Sequence, residues 1–275
     1  MVCLQNLQQK AKELLIQPFY FLTINLLTLL LPLSFLLLAR LSCAHCLLAS
    51  YATQPLSSFP FSFFLYTNPA ILYLLVSAIS IATLIHGLTG KLTILSESPG
   101  AVYQSRLYTA WILLCTLQIS VGLGIEGSIG VGVDGSSFGI ERSLLSRVIF
   151  FLGLHETMLL WFKTVVKPVV DDTIFGVSKE ERWVERVGMA LTLGSLWWWK
   201  LRDEVESLVV VPEAKKELLI SVGVADFVGW WLYYLTVTIG MVRLVKGLLW
   251  LGMVLFCKRV RKNSITHPCD VEDKV

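Results

Sequence analysis

The chain has 275 residues and a formal net charge of +3; 55% of its residues are hydrophobic and only 16% are charged. Its mean hydropathy of +0.69 is typical of multi-pass membrane proteins and excludes a water-soluble globular domain as the main body of the chain. Function must therefore be argued from topology and from polar groups inside the membrane, and no nucleic-acid partner is predicted.

The first predicted elements are an interfacial helix and three membrane spans. Residues 1–17 place apolar side chains at helical spacing among Gln and Lys, which predicts a short amphipathic helix lying in the membrane interface. A hydrocarbon core of about 30 Å needs roughly 20 apolar residues as helix, and residues 19–39, 70–88 and 107–125 meet that requirement. The first of these is longer than the core of a signal peptide, so it is predicted to remain as an anchor.

The second half of the chain contains less regular spans. Residues 144–166 and 218–241 are long enough to cross, although both contain charged residues. Residues 187–199 form a short apolar run that crosses only if its flanking basic residues snorkel or the bilayer thins. Residues 241–257 are interpreted either as a return span or as a cytosolic helix. Residues 18–257 together are predicted to form one transmembrane helical domain.

The distribution of Lys and Arg predicts the orientation, because cytosolic segments are enriched in them. If residues 187–199 span the membrane, 16 of the 23 Lys and Arg residues lie on the cytosolic side. If that run lies on the membrane and the tail returns, 18 lie inside and 3 outside. Both alternatives put both termini in the cytosol. The predicted fold class is all-α, a polytopic transmembrane helical bundle of about six spans.

Four polar residues inside the predicted spans are candidate site residues. Glu156 and Asp226 need a compensating partner, because an ionised carboxylate near the bilayer centre costs about 2.5–3.5 kcal/mol on insertion scales. With His155 and His86, they are interpreted either as structural pairs between helices or as a proton relay or cation site for transport. Consecutive helical residues point about 100° apart, so His155 and Glu156 are not expected to face one site squarely.

Small residues at four-residue spacing predict where helices pack closely. Ser221, Ala225 and Gly229 follow the small-xxx-small pattern, and Ala190 and Gly194 repeat it. The pattern predicts close helix packing, either within the chain or against a second copy or another membrane protein.

Residues 258–275 are predicted to form a basic cytosolic tail. The basic residues next to the membrane are Lys258, Arg259, Arg261 and Lys262. They are expected to attract anionic lipid at about 1 kcal/mol per basic residue. Ser264 follows these residues as a candidate phosphorylation site, where an added phosphate would weaken the attraction by its charge.

Two short motifs are interpreted structurally. Residues 122–127 and 130–135 both match G-x-G-x-x-G, but no strand is predicted before them, so they are interpreted as an external loop or, with Glu126 and Asp134, as a cation-binding turn. Cys43 and Cys46 form a C-x-x-C after the first span and are interpreted as free thiols or a local disulfide, with a redox motif as the alternative. No metal site and no cofactor are predicted.

Three segments resemble those of plant multi-pass membrane proteins of uncharacterised function. They are residues 153–161, 196–206 and 224–234. The resemblance implies a plasma-membrane or endomembrane protein without an assigned catalytic activity. The predicted function is that of a non-enzymatic membrane component or adaptor engaging partners or anionic lipid; the alternative is a small-solute or ion transporter using Glu156 and Asp226.

Overall fold

The computed structural model describes residues 16–50, 69–90, 104–130, 143–175, 183–217 and 222–264. These residues are almost entirely helical and contain no strand, which confirms the predicted all-α class. Most of the predicted interfacial helix, residues 1–15, lies outside the described residues.

The described residues form nine α-helices. In chain order they are α1 (Leu30–Ser50), α2 (Ala70–Thr89), α3 (Gln104–Gly130), α4 (Leu144–Trp161), α5 (Lys167–Phe175), α6 (Trp183–Leu196), α7 (Arg202–Glu204), α8 (Ser207–Glu217) and α9 (Val224–Ser264). Residues 16–28, which precede α1, are also helical. A π-helical turn, Phe162–Val166, joins α4 to α5, and a second, Trp197–Leu201, joins α6 to α7.

Five helical stretches are long and apolar enough to cross a membrane. Numbered as spans 1 to 5, they are Ile16–Cys46, Ala70–Thr89, Leu107–Ile129, Leu144–Ile174 and Val224–Phe256. Their positions agree with five of the six predicted spans. The remaining predicted run, residues 187–199, lies in residues 183–217, which we call the crossing segment.

Contacts between side chains fix the directions of the spans. Span 1 is antiparallel to span 4, since Tyr20 near its start donates a hydrogen bond to Asp171 near the end of span 4 (2.5 Å). Span 3 is parallel to span 1, because Arg40 bonds to Ser128 (2.9 Å), each near the end of its span. Spans 2 and 5 run parallel to each other and to span 4. Lys246 of span 5, for example, bonds to the carbonyl of Gly87 near the end of span 2.

The crossing segment returns the chain through the bundle. At its start Glu185 pairs with Lys167 beside the end of span 4 (3.5 Å), and near its end Lys215 pairs with Asp226 at the start of span 5 (2.8 Å). Its inward apolar residues are buried: Met189, Leu193, Leu196, Leu201, Leu208 and Val209. The described chain therefore crosses the bundle six times, and its first and last described residues belong to the same side.

Polar residues lie towards both faces of the bundle. Three spans carry polar residues 20 positions apart, one towards each face: Tyr20 and Arg40, Arg147 and Lys167, Asp226 and Lys246. At 1.5 Å per residue this separation is about 30 Å, the thickness of the hydrocarbon core. The three pairs are staggered, since the contacts of Ser146 with Tyr233 and of Glu156 with Arg243 place Asp226 about 12 Å further out than Arg147. We call the end of the bundle towards which Tyr20, Lys167 and Lys246 lie the terminal face and the end towards which Arg40, Arg147 and Asp226 lie the opposite face.

Helix α9 continues well past the terminal face. Its 41 residues correspond to about 60 Å of helix, and it runs without reversal to Ser264. Of the two interpretations of residues 241–257, the return span is therefore not formed. After Lys246, the exposed side chains of this helix are almost all apolar. They include Leu248, Trp250 and Phe256.

Candidate functional site

Asp226 is held in a buried ion pair at the opposite face. Lys215 of the crossing segment donates to both carboxylate oxygens, at 2.9 and 2.8 Å, and the backbone N–H of Gly223 donates to Oδ2 at 3.1 Å. Both charged side chains are buried. Since one carboxylate meets one cation and a backbone donor, its intramembrane charge is compensated locally.

Glu156 is paired in a different part of the bundle. Arg243 of span 5 donates from Nη1 to Glu156 Oε2 and, from the same atom, to Nδ1 of His155 at 3.0 Å. A long side chain from a neighbouring helix thus reaches both consecutive residues of span 4, despite the angle between them. Glu156 and Arg243 are 32% and 35% exposed, so this pair is open on one side where the Lys215–Asp226 pair is closed.

The opening is a cleft between spans 2, 4 and 5, with a volume of about 200 Å³. Its polar lining residues are Thr83, His86, Glu156, Arg243 and Lys246, and its apolar lining residues include Leu84, Ile239 and Val242. The lining contains two cationic side chains and one carboxylate. With neutral histidine, the cleft therefore has a net charge of +1.

Span 2 contributes backbone and histidine groups to the cleft. Lys246 donates to the carbonyl oxygen of Gly87, a group in the last turn of α2, where carbonyls lack helical partners and cations are stabilised. Gly90, with φ of 68°, ends this helix in the left-handed conformation that favours glycine. Nδ1 of His86 is buried and has no hydrogen-bond partner among the described residues.

The four candidate relay residues do not form one group. His86 and Glu156 line the cleft, and His155 joins them through Arg243. Asp226 lies 17 positions before Arg243 on the same helix, which is about 25 Å away. The sequence identified these residues but not their cationic partners, because each partner comes from a different helix.

A further ion pair, which was not predicted from the sequence, is the most buried pair among the described residues. Arg40 binds Glu204 in a two-pronged arrangement, with Nε to Oε2 at 2.5 Å and Nη2 to Oε1 at 2.6 Å. The third guanidinium nitrogen donates to Ser128 at 2.9 Å, and Lys200 approaches Glu204 Oε1 at 3.4 Å. Arg40 and Glu204 are only 2% and 1% exposed. The pair joins span 1 to the crossing segment.

A neighbouring pair attaches the crossing segment to span 4. Arg147 donates to both carboxylate oxygens of Glu206, at 2.6 and 3.2 Å. Together with Arg40–Glu204 it explains why a segment with several charges can cross the bundle. Glu204 and Glu206 meet arginines from spans 1 and 4 instead of lipid, which offsets the cost of removing these carboxylates from water.

Comparison of the chain with protein-family models, with curated proteins and with solved structures found no match. The resemblance of residues 153–161, 196–206 and 224–234 to plant membrane proteins stays a prediction. Function is therefore argued from the geometry of the ion pairs and the cleft.

Some of the residues predicted to pack closely are buried and others are exposed. Gly229 is buried, and a Cβ added there would lie 3.2 Å from Leu208 of the crossing segment. Ala190 and Ala225 are exposed, a Cβ on Gly194 would meet nothing within 4 Å, and Ser221 lies outside the described residues. A closer approach joins spans 4 and 5. There, a Cβ on Gly153 would lie 1.9 Å from the carbonyl oxygen of Thr236, and one on Gly240 2.0 Å from that of Ile149.

The short motifs also differ from their interpretations. Residues 122–127 are part of helix α3 and not a loop, while most of 130–135 lies outside the described residues. Cys43 and Cys46 lie within span 1 and not after it, where both are buried and neither forms a disulfide with another described residue. In the part of the chain that the structure describes, no group of three His, Cys, Asp or Glu residues is placed to hold a metal ion.

The basic residues of the tail are continuous with span 5. Lys258, Arg259, Arg261 and Lys262 lie on the backbone of α9, which extends to Ser264; their side chains lie outside the described part. Since α9 leaves the bundle at the terminal face, these residues follow the same side of the bundle as the cleft.

The two carboxylates should react differently with a hydrophobic carbodiimide. Glu156 is expected to be labelled, because a third of its side chain is exposed in the cleft. Asp226 is expected to remain unlabelled, since Lys215 and the Gly223 N–H cover its oxygens. Mass spectrometry of peptides from labelled membranes gives the labelled fraction of Glu156 and of Asp226. Equal labelling of the two residues would contradict the closed geometry of the Lys215–Asp226 pair.

Proposed function

We propose that this integral membrane protein is a non-enzymatic membrane component whose terminal face lies in the cytosol and engages anionic lipid, in a plasma membrane or an endomembrane. A second copy or another membrane protein is its further expected partner. The orientation follows from the excess of Lys and Arg on the side of the termini.

The observation that supports a non-transporting role is the separation of the intramembrane carboxylates. Asp226 is closed off with Lys215 at the opposite face, and Glu156 pairs with Arg243 about 25 Å away along the helix. Between them, spans 4 and 5 pack backbone to backbone at Gly153 and Gly240. A relay needs groups within hydrogen-bond reach or linked by water, and the two carboxylates are far beyond hydrogen-bond reach of each other.

The lipid-binding role is supported by charge placement. Lys246 lies at the terminal face, and the four basic residues of the tail follow on the same helix. Basic residues next to an anionic leaflet each contribute about 1 kcal/mol of attraction. The charge of this face is therefore suited to a cytosolic leaflet containing anionic lipid.

The proposal is tested by extracting the full chain from membranes in polymer-bounded discs and measuring the lipids that surround it. We expect anionic lipids to be enriched relative to the bulk membrane. Replacing Lys258, Arg259, Arg261 and Lys262 by Gln is expected to reduce the enrichment severalfold, because four attractive charges are lost. Equal enrichment around the wild type and this variant would contradict a lipid-binding tail.

The transporter alternative is tested separately, in proteoliposomes with an internal pH indicator. The non-transporting role predicts no proton flux above that of empty liposomes, for the wild type and for Glu156→Gln alike. A flux that is present in the wild type and lost in both Glu156→Gln and Asp226→Asn, with folding retained, would favour transport instead.

A further inference from the structure

We propose that the cleft between spans 2, 4 and 5 binds the phosphate of a monoanionic phospholipid, with Arg243 and Lys246 as its ligands. The inference deepens the lipid engagement proposed above, but concerns a defined site inside the bundle margin and not the basic tail. Nothing in the sequence pattern alone points to it, because the lining residues come from three separate spans.

Arg243 and Lys246 both have hydrogen-bond donors that the described residues do not use. Arg243 makes its bonds to Glu156 and His155 through Nη1, and Nε and Nη2 make no bond to the described residues. Lys246 makes one bond, to the Gly87 carbonyl, although an ammonium has three donors. Both side chains are accessible at the cleft. Arginine and lysine together are typical ligands of phosphate oxygens.

The charged side chains that line the cleft are not balanced. Two cations face one carboxylate, so the lining has one positive charge that no group in the described residues neutralises. An uncompensated charge at membrane depth is costly. A phosphodiester carries one negative charge and would balance it. Glu156 then acts as an orienting partner that holds the guanidinium of Arg243 toward the cleft, rather than as a proton carrier.

Lys246 lies level with the end of span 2. It bonds to the carbonyl of Gly87, two residues before that span ends at Thr89, and the end of a span marks where the hydrocarbon core ends and headgroups begin. Arg243 lies one turn deeper on the same helix. A lipid phosphate at the terminal face would therefore be level with Lys246 and within reach of the longer guanidinium below it.

Apolar side chains near the cleft distinguish a lipid from free phosphate. Leu88, Met241 and Leu248 are exposed and lie within two residues in sequence of the lining residues Gly87, Val242 and Lys246. These residues would contact the acyl chains of a lipid whose phosphate lies in the cleft, whereas inorganic phosphate would gain nothing from them. The combination of a cationic cleft and an apolar margin favours a headgroup that is attached to chains.

The test is native mass spectrometry of the purified full chain in detergent, titrated with phosphatidylglycerol or with phosphatidylcholine of identical acyl chains. We expect one saturable phosphatidylglycerol site that phosphatidylcholine occupies much less. Lys246→Gln is expected to weaken phosphatidylglycerol binding about fivefold, equivalent to about 1 kcal/mol for one basic residue. Lys246→Arg is expected to retain it. Millimolar inorganic phosphate is expected not to displace the lipid.

Two further variants test whether lipid binding depends on the cleft. Lys163→Gln removes an exposed lysine of span 4 that lies toward the terminal face but does not line the cleft, and is expected to bind like the wild type. Gly87→Leu adds a side chain next to Val242, since a Cβ at Gly87 would lie 3.7 Å from it, and is expected to block the site without removing a charge.

The outcomes distinguish this site from the proposed tail function. Retention of the high-affinity lipid in the variant with four Gln residues in the tail would support the cleft even if the tail does not engage lipid. Equal binding of both lipids, equal loss in Lys163→Gln and Lys246→Gln, or displacement by inorganic phosphate would each overturn the proposal of a lipid phosphate site.

Discussion

Glu204→Ala is expected to destabilise the protein by about 3–5 kcal/mol, because it leaves the guanidinium of Arg40 buried without its carboxylate. Arg40 is 2% exposed, and two of its nitrogens bond directly to Glu204. Ser128 and the Ile125 carbonyl accept from the third nitrogen, but neither carries a charge. The measurement is the free energy of unfolding in mixed micelles, by titration with a denaturing detergent.

A paired replacement separates the charge effect from a simple loss of packing. Arg40→Met combined with Glu204→Met removes both charges and keeps similar volumes, so it is expected to be near wild type or more stable by about 1–4 kcal/mol. Asp203→Asn is the matched control, because Asp203 is next in sequence but 43% exposed, and its change is expected to stay below about 1 kcal/mol. A double variant as unstable as Glu204→Ala would show that the unpaired charge of Arg40 is not the cause of the instability.

The spans themselves could be predicted from the sequence because their signal is local. Apolar length alone placed residues 70–88 and 107–125 within a few residues of Ala70–Thr89 and Leu107–Ile129. The rule requires only that the hydrocarbon core be filled by residues without charge. Neither span depends on a distant partner for its stability in lipid, so the local pattern was sufficient.

The crossing segment shows where the local signal ends. The apolar run of residues 187–199 is too short to cross alone, and acidic residues follow it at positions 203, 204 and 206. Those charges cross because they meet arginines that lie far away in sequence, 164 positions in the case of Arg40 and Glu204. Pairing at that separation is a property of the folded bundle, which no local pattern contains.

The cleft was only half predictable for the same reason. Glu156, His155 and His86 were recognised as polar residues inside spans, which requires only their position in an apolar stretch. Arg243 and Lys246 were assigned to a possible return span. They contact spans 4 and 2 because α9 continues past them as one helix to Ser264. Continuity of that helix decides whether the cleft exists.

Helix packing gave an ambiguous signal. Small-xxx-small spacing is frequent in the chain, and most of the residues first selected do not lie in close contacts. The residues that do make the contact also follow the pattern, as Gly153 with Thr157 and Thr236 with Gly240. The pattern identifies residues that permit close approach, but the choice among them depends on which helices become neighbours.

Gly240→Ala is expected to destabilise the protein by about 3 kcal/mol or more, since it overpacks a contact between two backbones. The added Cβ would lie 2.0 Å from the carbonyl oxygen of Ile149, far inside van der Waals contact. Relief requires spans 4 and 5 to move apart, because the neighbouring atom belongs to the main chain and has no alternative rotamer. That movement would also separate Arg243 from Glu156, so carbodiimide labelling of Glu156 is expected to rise.

Gly247→Ala is the matched control on the same helix. A Cβ there would meet nothing within 4 Å, and alanine is favoured over glycine in a helix by about 1 kcal/mol, so this variant is expected to be unchanged or slightly more stable. Opposite signs for Gly240→Ala and Gly247→Ala, seven residues apart on one helix, cannot arise from helix propensity alone. Equal stability of the two variants would mean that spans 4 and 5 are not in contact at Gly240. The contact that holds these two walls of the cleft together would then be absent.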